Sequence, residues 1–95
     1  MTLLDAASVS EKLKQHKDWK LEGKEIVRTL SFEDFRSAMR FVNAVAEKAE
    51  AAGHHPDIDI RYNKVRLALV SHDAGGLTDR DFQMAEVIDR LPTKN

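Results

Sequence analysis

The stretch SFEDFRSAMRFVNAVAEKAEAAGHHP, residues 31–56, decides the architecture. Phe35, Ala38, Met39, Val42, Val45, Ala46 and Ala49 recur in it at three- and four-residue intervals, the repeat that places apolar groups along one side of an α-helix. Ser31 followed by Asp34 has capping-box spacing and marks the start. No Gly or Pro interrupts the run. Gly53 stands where a left-handed residue closes a helix, and Pro56 prevents its resumption. The segment is therefore predicted to be one long amphipathic helix, which needs an apolar surface to lie against.

On both sides the apolar period falls to two. Upstream, Trp19 and Leu21, then Ile26, Arg28 and Leu30, alternate around Gly23, which predicts two strands joined at a Gly23-Lys24 turn. Downstream, Ile58, Ile60 and Tyr62 alternate with Asp59 and Arg61, and Val65 to Val70 is a short branched apolar run, with Asn63-Lys64 as the turn between them. The first of these strands is expected to be half exposed and the second buried on both faces, as a central strand is. A short helix capped by Ser8 or Ser10 is predicted to run to about His16. A last helix follows Gly75-Gly76, where Thr78 and Asp81 repeat the capping-box spacing, and Phe82, Ala85, Val87, Ile88 and Leu91 continue it up to Pro92. The order is α-β-β-α-β-β-α. Strands joined by short turns make an antiparallel sheet, and the helices must cover one of its faces, so the fold class is α+β.

A chain of 95 residues implies a single domain over residues 1–95 with one core, and a functional site in a surface cleft or one shared between subunits. The 15 basic and 16 acidic residues are interspersed, so charge favours neither nucleic acid nor a membrane surface as partner. With no cysteine there is no disulfide, thiolate nucleophile or thiolate metal site. The N-terminus lacks the basic and apolar regions of a signal peptide, and no apolar run reaches membrane-spanning length, so a soluble cytoplasmic protein is expected.

His54 and His55 fall in the link after the long helix and His72 at the exit of the buried strand, positions where functional side chains collect. Imidazole both gives and accepts protons near neutral pH, which suits a cluster of them to acid–base chemistry. Zinc is the rival reading, but adjacent residues of an extended segment project in opposite directions, which sets His54 against His55 as ligands of one ion; no metal is expected. The same geometry suggests one histidine facing a ligand and its neighbour pinned by hydrogen bonds, with Pro56 stiffening the segment. Asp81 is assigned first to the cap of the last helix, from whose start it can also approach the cleft. Glu50 lies near the end of the long helix, where the helix dipole disfavours a carboxylate.

Gly53-His54-His55-Pro56-Asp57, then Tyr62-Asn63-Lys64-Val65, then Ser71-His72-Asp73-Ala74-Gly75-Gly76-Leu77-Thr78-Asp79-Arg80-Asp81 resemble, block by block and in their spacing, the pterin-4a-carbinolamine dehydratase signature. The resemblance extends more loosely from Trp19 to the final helix. It implies a four-stranded antiparallel sheet with three helices on one face, and an enzyme that removes water from a 4a-hydroxytetrahydropterin without cofactor or metal. It also implies His54 and His72 as the acid–base pair, which of them donates being open, and His55 as a binding and orienting residue. Glu50, Pro56, Ser71 and Asp81 are implied around the substrate. Two positions depart from the family pattern: Gly53 stands where Asp or Asn is frequent, and Ile58 where an aromatic residue is usual.

Two further roles accompany the resemblance. Some family members are dimerisation partners of a transcription factor, and divergent ones keep the fold as pterin-binding or assembly proteins without turnover. A hydroxylase partner is a third association that the residues do not specify. Phe41 and Val45 on the long helix are expected to serve self-association into a homodimer or homotetramer.

Overall fold

The computed structural model describes residues 2–93. They form α1 (Ala6–Leu13), β1 (Lys20–Glu22), β2 (Glu25–Ser31), α2 (Phe35–Ala52), β3 (Asp57–Arg61), β4 (Lys64–Leu69), a 3-10 turn (His72–Ala74) and α3 (Asp79–Asp89). The four strands make one antiparallel sheet in the order β1-β2-β4-β3. The predicted element order and α+β class hold.

The sheet register explains which side the helices cover. Ile26, Arg28 and Leu30 of β2 stand opposite Leu69, Leu67 and Val65 of β4, and directly paired residues share a face. That face carries the core: Val65, Leu67 and Leu69 are fully buried with Val9 of α1, Ala38, Phe41, Val42, Val45 and Ala49 of α2, and Phe82, Met84, Ala85 and Ile88 of α3. The 18-residue α2 thus lays its predicted apolar stripe on the sheet. Leu67 and Ile88 each lose all contact with solvent, which stabilises the fold by about 1.5–3 kcal/mol per side chain.

Trp19, Arg28 and Asp89 fasten the ends of the sheet and α3 together. The Trp19 indole N–H donates to Asp89 Oδ1 at 2.9 Å, and the Arg28 guanidinium reaches the same oxygen at 2.6 Å. His16 Nδ1 lies 3.3 Å from the other oxygen.

Several local expectations are corrected. α1 starts earlier than predicted, because Asp5 and not Ser8 or Ser10 is its cap, accepting from the Ser8 N–H at 2.8 Å. It also ends at Leu13, short of His16. For α2 the cap is Asp34 alone, taking the Ser37 N–H at 2.8 Å, while Ser31 closes β2. The β3–β4 turn is Tyr62-Asn63, one residue before the predicted pair, with Tyr62 at φ 53°. Asn63 is suited to that turn because its amide donates to the Phe32 carbonyl. β4 is central, but its second face is not covered by a helix layer: Arg66 reaches across the sheet there to Glu22 at 2.9 Å, while Val27 and Ala68 on that face are buried. Phe41 and Val45 are 3% and 0% exposed within the chain's own core, so they cannot form a self-association surface. The 3-10 turn was not foreseen.

Candidate active site

The histidine segment is built by the way α2 stops. Gly53 adopts φ 63°, its N–H meets the Glu50 carbonyl at 3.3 Å, and the His54 N–H meets the Ala49 carbonyl at 3.2 Å. This pair of bonds is the Schellman closure, which turns the chain sharply and presents residues 54 and 55 beyond the helix end. Pro56 then leads into β3 and is buried. β4 runs back beside β3 and delivers Ser71 and His72 to the same end of the sheet. A bridge between Ser71 and Gly76, with Gly75 at φ 75°, folds the intervening residues into the 3-10 turn and directs the chain into α3.

His54, His55 and His72 consequently line one open groove of about 340 Å³, together with Gly53, Val70, Asp73 and Arg80. The two adjacent histidines differ in burial, yet both line this one groove and both meet a carboxylate, where projection to opposite sides was expected. His54 is 9% exposed, and its Nε2 lies 2.6 Å from Oδ1 of Asp81. His55 is exposed, and its Nε2 pairs with the exposed Glu50 carboxylate.

Asp81 is wholly buried, and its second oxygen is held by the Ser71 hydroxyl at 2.9 Å and the Thr78 N–H at 2.9 Å. Ser71 and Thr78 hydroxyls also meet at 2.8 Å. Asp81 therefore closes the α3 capping box through one oxygen, the role assigned to it first, and meets His54 through the other. An ionised carboxylate has only acceptors to offer, and opposite one the His54 nitrogen facing it carries the proton. In the neutral ring that leaves Nδ1 as the nitrogen able to accept one.

Ser71 and Asp81 stand behind His54, 1% and 0% exposed, and are absent from the groove wall; Pro56 is absent from it as well. Glu50 reaches the site through His55. Ile58 lies on β3 opposite Leu67, outside the groove lining. Sequence reasoning missed Arg80, Asp73 and Val70. Arg80 was detectable in principle, because side chains of a helix's first turn lean back past its start toward whatever lies there.

No three His, Asp or Glu side chains among the described residues are grouped to hold an ion. A larger hollow of about 400 Å³ lies between α1, the β1–β2 turn and Gly75–Leu77. Its walls are mostly Leu, Val, Ala and Gly, with no imidazole or carboxylate.

Comparison with known proteins decides the family. The model of the pterin 4 alpha carbinolamine dehydratase family matches residues 2–91. This chain is a member of that family. Among pterin carbinolamine dehydratase family relatives, a protein of Acidobacterium capsulatum is 60% identical over 91 residues, covering 96% of this chain and 99% of its own. One from Chloroflexus aurantiacus is 58% identical, covering 96% and 98%. Both are named provisionally as pterin-4-alpha-carbinolamine dehydratases. A crystal structure from Brucella melitensis, titled a transcriptional coactivator/pterin dehydratase, superposes with a TM-score of 0.88 at 31% identity, over 93% of this chain and 96% of that one. A pterin dehydratase-like protein described as a RuBisCO assembly factor of the alpha-carboxysome shares the fold at a TM-score of 0.68 and 22% identity, over 82% and 93%.

Proposed function

We propose that this protein dehydrates a 4a-hydroxytetrahydropterin to the quinonoid dihydropterin by histidine acid–base catalysis, serving the recycling of the reduced pterin. The observation that carries the reading is the convergence of His54, His55 and His72, from two separate stretches of backbone, on one groove.

The reaction needs two proton movements. Hydroxide leaves ring carbon C4a poorly unless it is protonated, and nitrogen N5 must give up its proton as the carbon–nitrogen double bond forms. His54 Nδ1 takes the N5 proton. His72 donates to the departing hydroxyl, so the carbon–oxygen bond breaks with its electron pair leaving as water. The electron pair freed at N5 completes the double bond. His54 ends as an imidazolium facing Asp81, and exchange with solvent restores both rings. His55, braced by Glu50, binds and orients the pterin. Asp81 and Ser71 position His54 without touching substrate.

The reading includes a cytoplasmic location and self-association as a homodimer or homotetramer. Phe35, Ile58 and Tyr62 supply exposed apolar surface for the latter, in place of Phe41 and Val45. None of the described helices is long and apolar enough to cross a membrane. The test of function is direct: chemically generated 4a-hydroxypterin is mixed with the protein and its loss followed against buffer. Faster loss with protein is the expected result. Equal rates would leave a pterin-binding or assembly role without turnover.

A further inference from the structure

Neighbouring residues at the start of α3 hold neighbouring residues of the histidine segment. Arg80 donates from its guanidinium to the Gly53 carbonyl at 2.8 Å, and Asp81 holds the His54 ring at 2.6 Å. The Schellman bonds fix only the N–H groups of residues 53 and 54. The Gly53 carbonyl, whose orientation sets the direction in which the chain leaves the helix, accepts instead from Arg80.

Open hollows flank this segment, although His54 and Pro56 in it are buried. His54 and Arg80 are walls of the 340 Å³ groove and also of a second hollow of about 190 Å³, bounded by Ala52, Gln83, Met84 and Val87. Close contact on all sides is what ordinarily fixes a side chain. Beside two hollows, polar ties add to that restraint. The helix itself gives no reason for an arginine here, because a cation in the first turn opposes the helix dipole.

We propose that Arg80 is a positioning residue for the reaction: with Asp81 it forms a two-point clamp that fixes the Gly53 carbonyl and the His54 ring against α3. The proposal rests on the reading of His54 as the proton acceptor. A planar guanidinium suits the task because it keeps a fixed direction while bonding a carbonyl. Asp81 holds only the far end of the ring, and Arg80 holds the backbone from which the ring projects.

Arg80→Ala and Arg80→Lys are compared with the wild type by steady-state kinetics, thermal melting and long-range proton–nitrogen spectra of the imidazole rings. In Arg80→Ala, kcat is expected to fall about tenfold to a hundredfold. The His54 ring signature should change from one fixed tautomer to an averaged pattern, while the His16 ring, held by Asp89, stays as it was. Arg80→Lys, which keeps a donor, should recover part of both effects. An unchanged His54 signature in Arg80→Ala, or a lysine variant no better than alanine, overturns the clamp. If the alanine variant does not fold, Arg80→Gln carries the same ring comparison. Absence of turnover in the wild type counts against the dehydratase reading alone, since the ring signatures still report on the clamp.

Discussion

Replacing Asp81 by Asn keeps the side chain's size and changes what it offers His54. The amide must still accept from the Thr78 N–H or the Ser71 hydroxyl, which turns its NH2 toward the imidazole. That favours the tautomer in which Nδ1 carries the proton and cannot take another. Asp81→Asn should therefore lower kcat by about 10²–10⁴, the usual worth of a general base, with the protein still folded. A full rate in this variant would show that the carboxylate does not set the tautomer. His55→Ala should instead act chiefly on KM, since the exposed ring and its Glu50 partner bind and orient without moving the proton. The histidines were readable from the sequence because their residue type and loop positions are local properties. The hydrogen bond between Asp81 and His54 joins positions 27 apart, and the orientation of a helix against a loop decides it. For that reason the cap of α3 could be assigned from spacing, and the clamp could not.

The stop of α2 matters because it aims residues 54 and 55. Gly53 sits at φ 63°, a region where any Cβ is strained, and nothing lies within 4 Å of the place a Cβ would occupy. Gly53→Ala should therefore cost about 1–2 kcal/mol through backbone strain alone, measured as a shift in denaturant midpoint. No loss would mean that the closure tolerates another geometry. The start of α2 responds to pH. Asp34 accepts the Ser37 N–H, which holds its carboxyl below the ordinary 3.8. A depressed carboxyl stabilises the fold above its unfolded pKa, and that contribution is lost as pH falls through the lower folded value. Asp34→Asn should thus flatten the stability profile below about pH 4. An identical acid limb in both proteins would contradict this. The long helix was legible because its period and its Gly-Pro stop are written in consecutive residues. The start of α1 was misread because three acceptable caps lie within six positions, and the bond from Leu4 N–H to the Leu77 carbonyl, made by a distant turn, fixes where the chain begins to coil.

The whole molecule holds its groove open by placing the core elsewhere. Val65, Leu67 and Leu69 bury one face of β4 under the helices, so the end of the sheet that delivers His72 is free to face solvent. Leu67→Ala should cost about 2–5 kcal/mol without altering the groove's residues, because Leu67 is fully buried in the helix layer. A melt unchanged from the wild type would place the core wrongly. At this scale the alternation of the strands revealed the sheet, but it could not show that Phe41 and Val45 are used up inside one chain. The two imidazoles at 54 and 72 are where all three scales meet. The most direct measurement is the rate of loss of 4a-hydroxypterin with the His54→Ala/His72→Ala double variant, alongside the wild type and buffer. The expected result is a folded protein whose rate equals that of buffer; a double variant as fast as the wild type would contradict the assignment.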